Sequence, residues 1–414
     1  MADIRPFCAL RPRPELAEKV ASPPYDVLNS EEAREMAGDN PISFLHVTKP
    51  EIDLRPEVSP YAPEVYAKGV ENLQRLIQEE VLIRDPHPCF YLYQQRMGGH
   101  VQAGLVAGAS VDEYDQNLIR KHEHTRPDKE EDRTRHIEAL NANTGPVFLT
   151  YKRRDTVDQI TEQIRARKPD VDFTSSDGVQ HTLWVVADGS TIQALKDSFA
   201  AISILYVADG HHRSASASNV AATRRAANRG HTGREPYNYF LSVIFPDDQM
   251  MILDYNRVVF DLKNLNEQTF LEKIRRSFDI SPADDPKPSR PLEFGMYLKD
   301  RWYRLTARDG TYPANDPVNS LDVAVLQNNL LAPILGIEDP RSDSRIDFVG
   351  GIRGLKELEK RVAGGAAVAF ALYPTSISQL MAIADAGEVM PPKSTWFEPK
   401  LRSGLIIRPL DDRS

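Results

Sequence analysis

The strongest local signal for chemistry in the chain is the run Asp209-Gly210-His211-His212-Arg213. A hydrophobic stretch at 203–208 precedes the run and an Ala- and Ser-rich stretch follows it to about 229, which predicts a strand, a turn and a helix. Such a turn points backbone N–H groups at one position, where the helix dipole adds positive potential. Because Gly210 lets the backbone approach closely and Arg213 can bind two oxygens, the run predicts a phosphate-binding turn.

The remaining side chains of this turn fit the same chemistry. His211 and His212 would add hydrogen-bond donors, and Asp209 is placed to hold a Mg²⁺ ion that bridges phosphates. The alternative is a tight strand-to-helix turn whose histidines pack against the protein or meet solvent. Four polar side chains around one glycine favour the functional interpretation.

A second charged run, residues 121–133, contains His122, Glu123 and His124. With His136, the two histidines resemble a metal set, but an i,i+2 pair suits a strand or loop and does not lie on one helix face. A phosphate or substrate site is the second interpretation of this run. The third is a solvated helix stabilised by ion pairs four residues apart.

The amino-terminal segment Pro23-Pro24-Tyr25-Asp26 carries a third candidate. Two prolines restrict the backbone and would hold the Asp26 carboxylate in place, as a catalytic base requires. The alternative is a structural turn in which Asp26 caps the next segment.

Cations and hydroxyls also gather near the carboxyl terminus, at Lys393-Ser394-Thr395 and at Lys400 and Arg402. They suit an anionic ligand, or an ordered tail held by neighbouring aromatic side chains. The Gly350-Gly351 turn before a predicted helix is either a phosphate cradle or a site of tight packing. The patterns G-x-x-x-x-G-K-[ST] and G-x-S-x-G do not occur, which disfavours P-loop NTPases and α/β-hydrolases.

The elements that must position these residues alternate between strands and helices, which predicts a mixed α/β (α+β) fold. A helix at 30–36 is expected to begin with Ser30 as its N-cap. Strands at 239–245 and 250–254 are predicted to form a hairpin with each other.

The length of 414 residues suggests two or three domains. A Pro- and charge-rich stretch within 262–290 separates the main motifs from a further alternation of strands and helices. We therefore expect a core at 1–262 that carries the phosphate-binding turn. Residues 263–414 would form a carboxyl-terminal α/β region whose tail can return to the site.

Composition excludes several classes of protein. There are 51 Lys and Arg against 60 Asp and Glu, a formal net charge of −9, which disfavours a general nucleic-acid binder. With Cys8 and Cys89 as the two cysteines, neither a disulfide framework nor a four-cysteine zinc site can form. No signal-peptide pattern and no membrane-spanning apolar stretch is found in the sequence, so we expect a cytoplasmic protein without membrane partners.

Six segments together resemble the family called domain of unknown function 1015 (DUF1015), over nearly the whole chain. They are Arg5-Pro6-Phe7, Pro23-Pro24-Tyr25-Asp26-Val27, Lys121-His122-Glu123-x-Thr125, Ala208-Asp209-Gly210-His211-His212-Arg213, Phe348-Val349-Gly350-Gly351 and Met390-Pro391-Pro392-Lys393-Ser394-Thr395-Trp396. The Asp-Gly-His-His-Arg element is also similar to the phosphate-binding turn of the ParB/sulfiredoxin-like fold. That turn recurs in free L-serine kinases, an activity with which members of the family have been associated.

The resemblance implies a ParB/sulfiredoxin-like catalytic core that transfers a phosphoryl group from ATP or ADP, with Mg²⁺, to free L-serine. A glutamate serves as the base in the kinases, and Asp26 or Glu123 would take its place here. The catalytic candidates are Asp26, Glu123 and Asp209, and Asp209 is also the metal candidate. The nucleotide- and phosphate-binding candidates are Gly210, His211, His212, Arg213, Lys393, Ser394 and Thr395. The substrate-binding candidates are His122, His124 and Arg133.

Three hypotheses about function follow. The first is a nucleotide-dependent kinase of a small molecule, which needs a dry pocket for the acceptor beside the turn. The second is a ParB-like nucleotide switch, which needs a homodimer interface that closes on the nucleotide. The third is a DNA-associated protein, which needs a contiguous basic face and is disfavoured by the net charge.

Overall fold

The long apolar segments of the first part of the chain form one mixed sheet in the computed structural model, which describes residues 2–411. Nine strands of the described chain belong to this sheet. In spatial order, eight of them are Ile119–Arg120, Leu205–Asp209, Val147–Tyr151, Tyr239–Pro246, His100–Ser110, Phe90–Met97, Gln180–Val186 and Val171–Thr174. The ninth, Ile4–Arg5, pairs antiparallel with His100–Ser110.

The central strand Tyr239–Pro246 shows why the sheet forms. Its sequence is apolar at nearly every position and every residue is buried. It runs parallel to Val147–Tyr151 and antiparallel to His100–Ser110, so both of its edges are hydrogen-bonded. A continuous apolar run is typical of a strand that is covered on both faces, and the mixed α/β class predicted from the sequence is confirmed.

Helices pack against this sheet through small and aliphatic residues such as Leu195, Ala217 and Ala221. The α-helices of this part are Ala17–Val20, Ser30–Ala37, Leu45–Thr48, Pro63–Gln78, Val111–Asp115, Pro127–Leu140, Asp155–Arg165, Gly189–Ala200 and His211–Ala227. Across residues 2–411, none of the helices combines the length and the apolar character that crossing a bilayer requires.

The N-cap predicted for the helix at 30–36 is wrong by one residue. The helix is Ser30–Ala37, and its N-cap is Asn29, whose side chain accepts a hydrogen bond from the Glu32 backbone at 2.9 Å. The Glu32 carboxylate accepts in return from the Asn29 backbone at 2.9 Å. Asparagine caps as well as serine does, and this reciprocal box satisfies two backbone donors at once.

The hairpin predicted at 239–245 and 250–254 is also wrong. Met251–Leu253 pairs with Trp396–Glu398, whereas both edges of Tyr239–Pro246 are taken by other strands. A short 3₁₀ turn, Asp247–Gln249, separates the two segments. The turn lets Met251–Leu253 leave the sheet of the first unit and pair with Trp396–Glu398 instead.

The chain divides into two units, and the division differs from the predicted boundary at 262. One unit contains the residues up to Met250 together with those from Pro399 onward, and the other is Met251–Glu398. The reason lies in Tyr255–Val259, which precedes the Pro-rich stretch but pairs with Ile346–Gly350 and Val368–Leu372 of the second unit.

The second unit is built on an antiparallel sheet of six strands within the described residues. In spatial order these are Phe278–Pro282, Arg301–Ala307, Glu293–Leu298, Val368–Leu372, Tyr255–Val259 and Ile346–Gly350. The helices of this unit are Glu267–Ile274, Asp322–Leu326, the π-helical Gln327–Leu331, Ala332–Leu335, Leu355–Ala363 and Ile377–Asp385.

Candidate functional site

Two neighbouring parallel strands bring the two polar runs together. Leu205–Asp209 pairs in parallel with Ile119–Arg120, with Leu205 opposite Ile119. Parallel strands leave a sheet at the same edge, so the chain that follows each strand emerges at one place. The run that begins at Asp209 therefore meets the run that follows Arg120.

Gly210 makes the turn between the strand and the helix His211–Ala227. Its φ is +98°, a region that glycine adopts at no steric cost. A Cβ atom at this position would lie 3.3 Å from the guanidinium carbon of Arg213, closer than most such contacts. The first N–H groups of a helix have no intrahelical acceptor, so the turn at Gly210 has backbone donors that a ligand could use.

Asp209 is a carboxylate held between two cations. Its Oδ2 accepts a hydrogen bond from Lys400 Nζ at 3.1 Å, and its Oδ1 lies 3.8 Å from Arg213 Nη2. Burial raises the pKa of Asp209, but Lys400 and then Arg213 outweigh it and hold the pKa well below its usual range. The group is therefore ionised at neutral pH, and 28% of its side chain is exposed, so it can bind a hard cation such as Mg²⁺.

The Arg213 guanidinium links three parts of the first unit. Its Nη1 donates to the Pro146 carbonyl, and its Nη2 lies 3.8 Å from Asp26 Oδ2 and 3.8 Å from Asp209 Oδ1. Its side chain is 10% exposed. An incoming phosphate that uses this guanidinium would therefore compete with two carboxylates that already face it.

His122 and His211 pack edge to face, with ring centroids 4.4 Å apart. Both are buried, and the Glu123 carboxylate lies 3.7 Å from His211 Nδ1. Burial lowers the pKa of His211 to about 4, although Asp209 opposes the shift. Burial and then His211 lower the pKa of His122, so both imidazoles are neutral at neutral pH.

His212 faces a different partner. Its Nε2 accepts a hydrogen bond from the Arg126 backbone N–H at 3.0 Å. Burial is the main cause that lowers the pKa of His212, while Glu123 opposes it. The neutral ring that this hydrogen bond requires is thus the favoured form, and the bond ties the loop before the helix Pro127–Leu140 to the turn.

A small cavity of about 30 Å³ lies beside Arg213. Its lining includes Tyr25, Arg133, Thr144 and Gly145. A volume of this size holds one or two water molecules. It does not hold an amino acid in the conformation described.

The comparison with known proteins identifies the family. A family described as "Protein of unknown function (DUF1015)" matches residues 4–324. The chain belongs to the DUF1015 family. The resemblance is thereby confirmed over residues 4–324, which contain four of the six motif segments, whereas the segments at 348–351 and 390–396 lie beyond the match. No curated protein matches this DUF1015 sequence.

Solved structures that resemble this DUF1015 chain share little sequence with it. A free serine kinase in complex with AMP is 11% identical, with a TM-score of 0.36 over 70% of this chain and 86% of that one. SbnI with C-terminal truncation from Staphylococcus aureus is 14% identical, with a TM-score of 0.38 over 74% and 87% of the two chains. A conserved hypothetical protein from Pyrococcus furiosus is 12% identical, with a TM-score of 0.35 over 73% and 95%.

Several residues predicted from the DUF1015 sequence meet in the first unit, and others do not. Asp26, Asp209 and Arg213 form one group, and His122, Glu123 and His211 form another. His124 is exposed. The metal set predicted from His122, His124 and His136 is not formed within residues 2–411, because His136 Nε2 is hydrogen-bonded to the Val47 carbonyl at 2.9 Å.

Arg133, predicted to bind substrate, is held by the protein itself. Its Nη2 donates to Asp132 Oδ2 at 2.7 Å, and its guanidinium lies 4.1 Å from the centre of the Tyr25 ring. Its side chain is 12% exposed. It borders the small cavity but has its charge already paired.

Lys393, Ser394 and Thr395 belong to the second unit. The Lys393 carbonyl accepts from Arg257 at 2.9 Å and the Ser394 hydroxyl donates to the Pro391 carbonyl at 2.6 Å. Their role in binding a nucleotide stays a prediction. In the same unit, a Cβ on Gly351 would lie 2.4 Å from an Asp254 oxygen, so the Gly350-Gly351 turn is a site of tight packing next to an acid.

Sequence reasoning missed the partner of Asp209. Lys400 was grouped with the cations of the carboxyl-terminal segment, but it lies in the first unit and pairs with a residue 191 positions earlier. Arg402 from the same segment is buried and bonds to Asp177, and also donates to Ser175 Oγ at 3.1 Å. The sequence shows that this segment is rich in cations, but composition does not specify which acidic residues those cations contact.

Proposed function

We propose that this protein is a nucleotide-dependent phosphotransferase that phosphorylates the hydroxyl of a small molecule, with free L-serine as the acceptor. The observation that carries the proposal is the turn at Gly210. It combines a positive φ, the start of a 17-residue helix and an adjacent ionised carboxylate at the edge of the sheet. Phosphoryl transfer depends mainly on positioning and charge neutralisation, which this arrangement can supply.

The nucleotide phosphates would bind at the turn. The N–H groups at the start of the helix would donate to phosphate oxygens, with His212 and Arg213 at the side. Lys400, which lies beside Asp209, would add a second positive charge near the transferred group. ATP or ADP is the proposed donor.

A Mg²⁺ ion would fit the carboxylates of this site. Asp209 stays ionised, and Asp26 lies 3.8 Å from the same Arg213 nitrogen as Asp209 does. Carboxylate oxygens are the ligands that Mg²⁺ prefers. When bound, the ion would neutralise charge on the phosphates. Asp209 is its proposed protein ligand.

In the proposed reaction the acceptor hydroxyl oxygen bonds to the terminal phosphorus while the bond from phosphorus to the nucleotide oxygen breaks. The hydroxyl proton passes to a carboxylate, and Asp26 and Glu123 are the two candidates because 39% and 47% of their side chains are exposed. The products are O-phosphoserine and the nucleotide shortened by one phosphate. His124 and Arg133 are the proposed contacts of the acceptor, and Arg133 would have to leave Asp132.

A second function, a nucleotide-binding switch without transfer, is favoured by one observation. The cavity beside Arg213 holds about 30 Å³, which is too small for serine. In a switch, nucleotide binding at the turn would exchange the partners of Arg213 and so move the Asp26 segment. A kinase would need the same region to open for its acceptor.

The deciding experiment incubates the purified protein with Mg²⁺, ATP or ADP, and L-serine, and measures phosphoserine by mass spectrometry. Asp209→Asn and Arg213→Ala are expected to lose at least about 100-fold in rate, because each removes a charge from the transfer site. The matched controls are Asp197→Asn and Arg229→Ala, exposed positions outside the turn, which should keep the wild-type rate.

Each alternative outcome has one meaning. Phosphoserine that persists in both site variants would place the chemistry elsewhere in the molecule. Nucleotide binding by calorimetry without any phosphoserine would overturn serine as the acceptor and favour the switch. Absence of nucleotide binding would overturn both functions.

A further inference from the structure

Three side chains at the edge of the sheet form a cluster with the composition of a metal site. Nitrogen atoms of His122 and His211 and a carboxylate oxygen of Glu123 all lie within 4.8 Å of one another. We infer that these three residues bind a divalent transition-metal ion such as Zn²⁺. The inference does not rest on the proposed kinase activity and uses His122, which that proposal leaves without a role.

The spacing of the three groups is close to what such an ion requires. Bonds of about 2.0–2.2 Å in a tetrahedral site place ligand atoms roughly 3.3–3.5 Å apart. The Glu123 carboxylate already lies 3.7 Å from His211 Nδ1, and the two imidazoles are in edge-to-face contact. Side-chain movements of about 1 Å would close the set around an ion.

The hydrogen bonding of the two histidines is the second, independent observation. His122 and His211 are 2% and 5% exposed. Both ring nitrogens of His122 and Nε2 of His211 make no hydrogen bond of ordinary geometry within residues 2–411, although the Val207 backbone is close enough to interact with His122. Leaving a buried polar atom without a partner is unfavourable, and a metal bond at one nitrogen of His122 would offset part of that cost.

The ligand types select the class of ion. Two imidazole nitrogens with one carboxylate suit Zn²⁺ and similar transition metals, whereas Mg²⁺ and Ca²⁺ prefer an all-oxygen set. Three protein ligands leave at least one position for water or an anion, as in catalytic zinc sites. Because His211 is the first residue of the helix at the turn, that position is next to the place where an anion would bind.

The assignment narrows the roles of the neighbouring residues. A Glu123 carboxylate bound to a metal cannot also serve as a base, which leaves Asp26 as the base candidate of the proposed kinase. Asp209 offers only oxygen atoms as ligands, which suit Mg²⁺. The Mg²⁺ ion proposed at Asp209 is therefore a different ion from the one that the two histidines would bind.

The test uses the purified full chain, stripped with a chelator and titrated with Zn²⁺ alone, without any nucleotide. Calorimetry is expected to show one ion per chain, and Co²⁺ in its place should give the intense visible absorption of a low-coordinate site. Losing even an outer-shell partner of a metal ligand weakens binding 10- to 100-fold, so His122→Ala should weaken it by at least about 100-fold. An excess of Mg²⁺ should leave the Co²⁺ spectrum unchanged.

Glu123→Gln provides a variant at an exposed position, in case His122→Ala does not fold. It should weaken Zn²⁺ binding by at least about 10-fold and reduce the rise in melting temperature that Zn²⁺ causes in the wild type. The matched control is His124→Ala, the exposed neighbour, which should bind Zn²⁺ within about twofold of the wild type.

The inference is overturned if the wild type binds no Zn²⁺, or if Glu123→Gln and folded His122→Ala bind it as tightly as His124→Ala does. The phosphoserine assay reports separately on the proposed function. A wild-type protein that forms phosphoserine but binds no Zn²⁺ would overturn the metal site alone, and one that binds Zn²⁺ but forms no phosphoserine would overturn the kinase alone.

Discussion

At the scale of single residues, the site is made of charges that already have partners. Arg213 faces Asp26 and Asp209, and Asp209 also faces Lys400. An ion pair that is mostly shielded from water holds its members in place, and removing one member leaves the other without compensation. A phosphate at this turn would therefore bind by exchanging partners with these carboxylates.

Buried histidines make stability depend on pH. Burial, followed by the charge of Arg133, lowers the pKa of His136 to about 3, against an unfolded value near 6.5. Below pH 6.5 the unfolded chain binds a proton at this residue that the folded chain does not. The contribution of neutral His136 to the free energy of unfolding is therefore fully present above pH 6.5 and is lost as the pH falls below that value.

His136→Gln tests this linkage. Glutamine can still donate to the Val47 carbonyl but does not titrate. Between pH 7 and pH 5 the wild type should lose about 2 kcal/mol more of its unfolding free energy than the variant, measured by denaturant titration at each pH.

The control for this comparison is His124→Gln, at an exposed position where the ring is solvated in both states. It should follow the wild type at every pH. Parallel pH profiles for the wild type and His136→Gln would show that His136 is not the linked group.

At the scale of elements, the site depends on one strand–turn–helix unit and its parallel neighbour. The strand Leu205–Asp209 ends where Gly210 takes a positive φ, and the helix begins at the next residue. The parallel strand Ile119–Arg120 then sets which residues lie opposite. Backbone geometry at Gly210 thus positions the run at 209–213, and the parallel pairing places the run after Arg120 beside it.

Gly210→Ala should destabilise the fold by about 1–2 kcal/mol, because an L-residue is strained at this φ. The new Cβ would also press on the Arg213 guanidinium, so nucleotide binding should weaken as well. Denaturation midpoints and calorimetry with ATP or ADP measure the two effects.

The matched control is Gly99→Ala, where a Cβ meets nothing within 4 Å and φ is not in the left-handed region. It should change stability by less than about 0.5 kcal/mol. Equal effects of the two substitutions would mean that the turn does not require glycine.

At the scale of the whole molecule, the second unit is inserted into the sequence of the first. The chain returns to the first unit at Pro399, where Ser403 pairs with Ser22 and Ile407 with Leu10. The returning segment buries five aliphatic side chains: Leu401, Leu405, Ile406, Ile407 and Leu410. It also carries Lys400, the partner of Asp209.

A chain that ends at Glu398 should therefore lose stability as well as function. Burying one such side chain stabilises a fold by about 1.5–3 kcal/mol, so losing five removes an amount comparable to the whole stability of a domain. We expect a large fall in melting temperature or insoluble expression. The melting temperature of the purified chain measures the effect, and a stable chain ending at Glu398 would contradict the view that the returning segment stabilises the first unit.

Much of the local structure was readable from the sequence. The strand predicted at 203–208 and the helix ending near 229 are found as Leu205–Asp209 and His211–Ala227. Hydrophobic patterning and glycine act over a few residues, so they specify a strand, a turn and a helix without knowledge of the remaining chain. The N-cap of the helix Ser30–Ala37 shows the limit of such local patterns. Asn29 and Ser30 are both good capping residues and are adjacent, so the pattern could not decide between them.

What the sequence by itself determined is thus the mixed α/β class, the family and the order of residues at the turn. The tertiary structure alone decided that His122 meets His211, that Lys400 pairs with Asp209, and that Met251–Leu253 joins Trp396–Glu398. These contacts depend on strand order, on parallel or antiparallel pairing and on register. Neither composition nor local periodicity encodes those choices, because each is the outcome of competition among many distant pairings of similar energy.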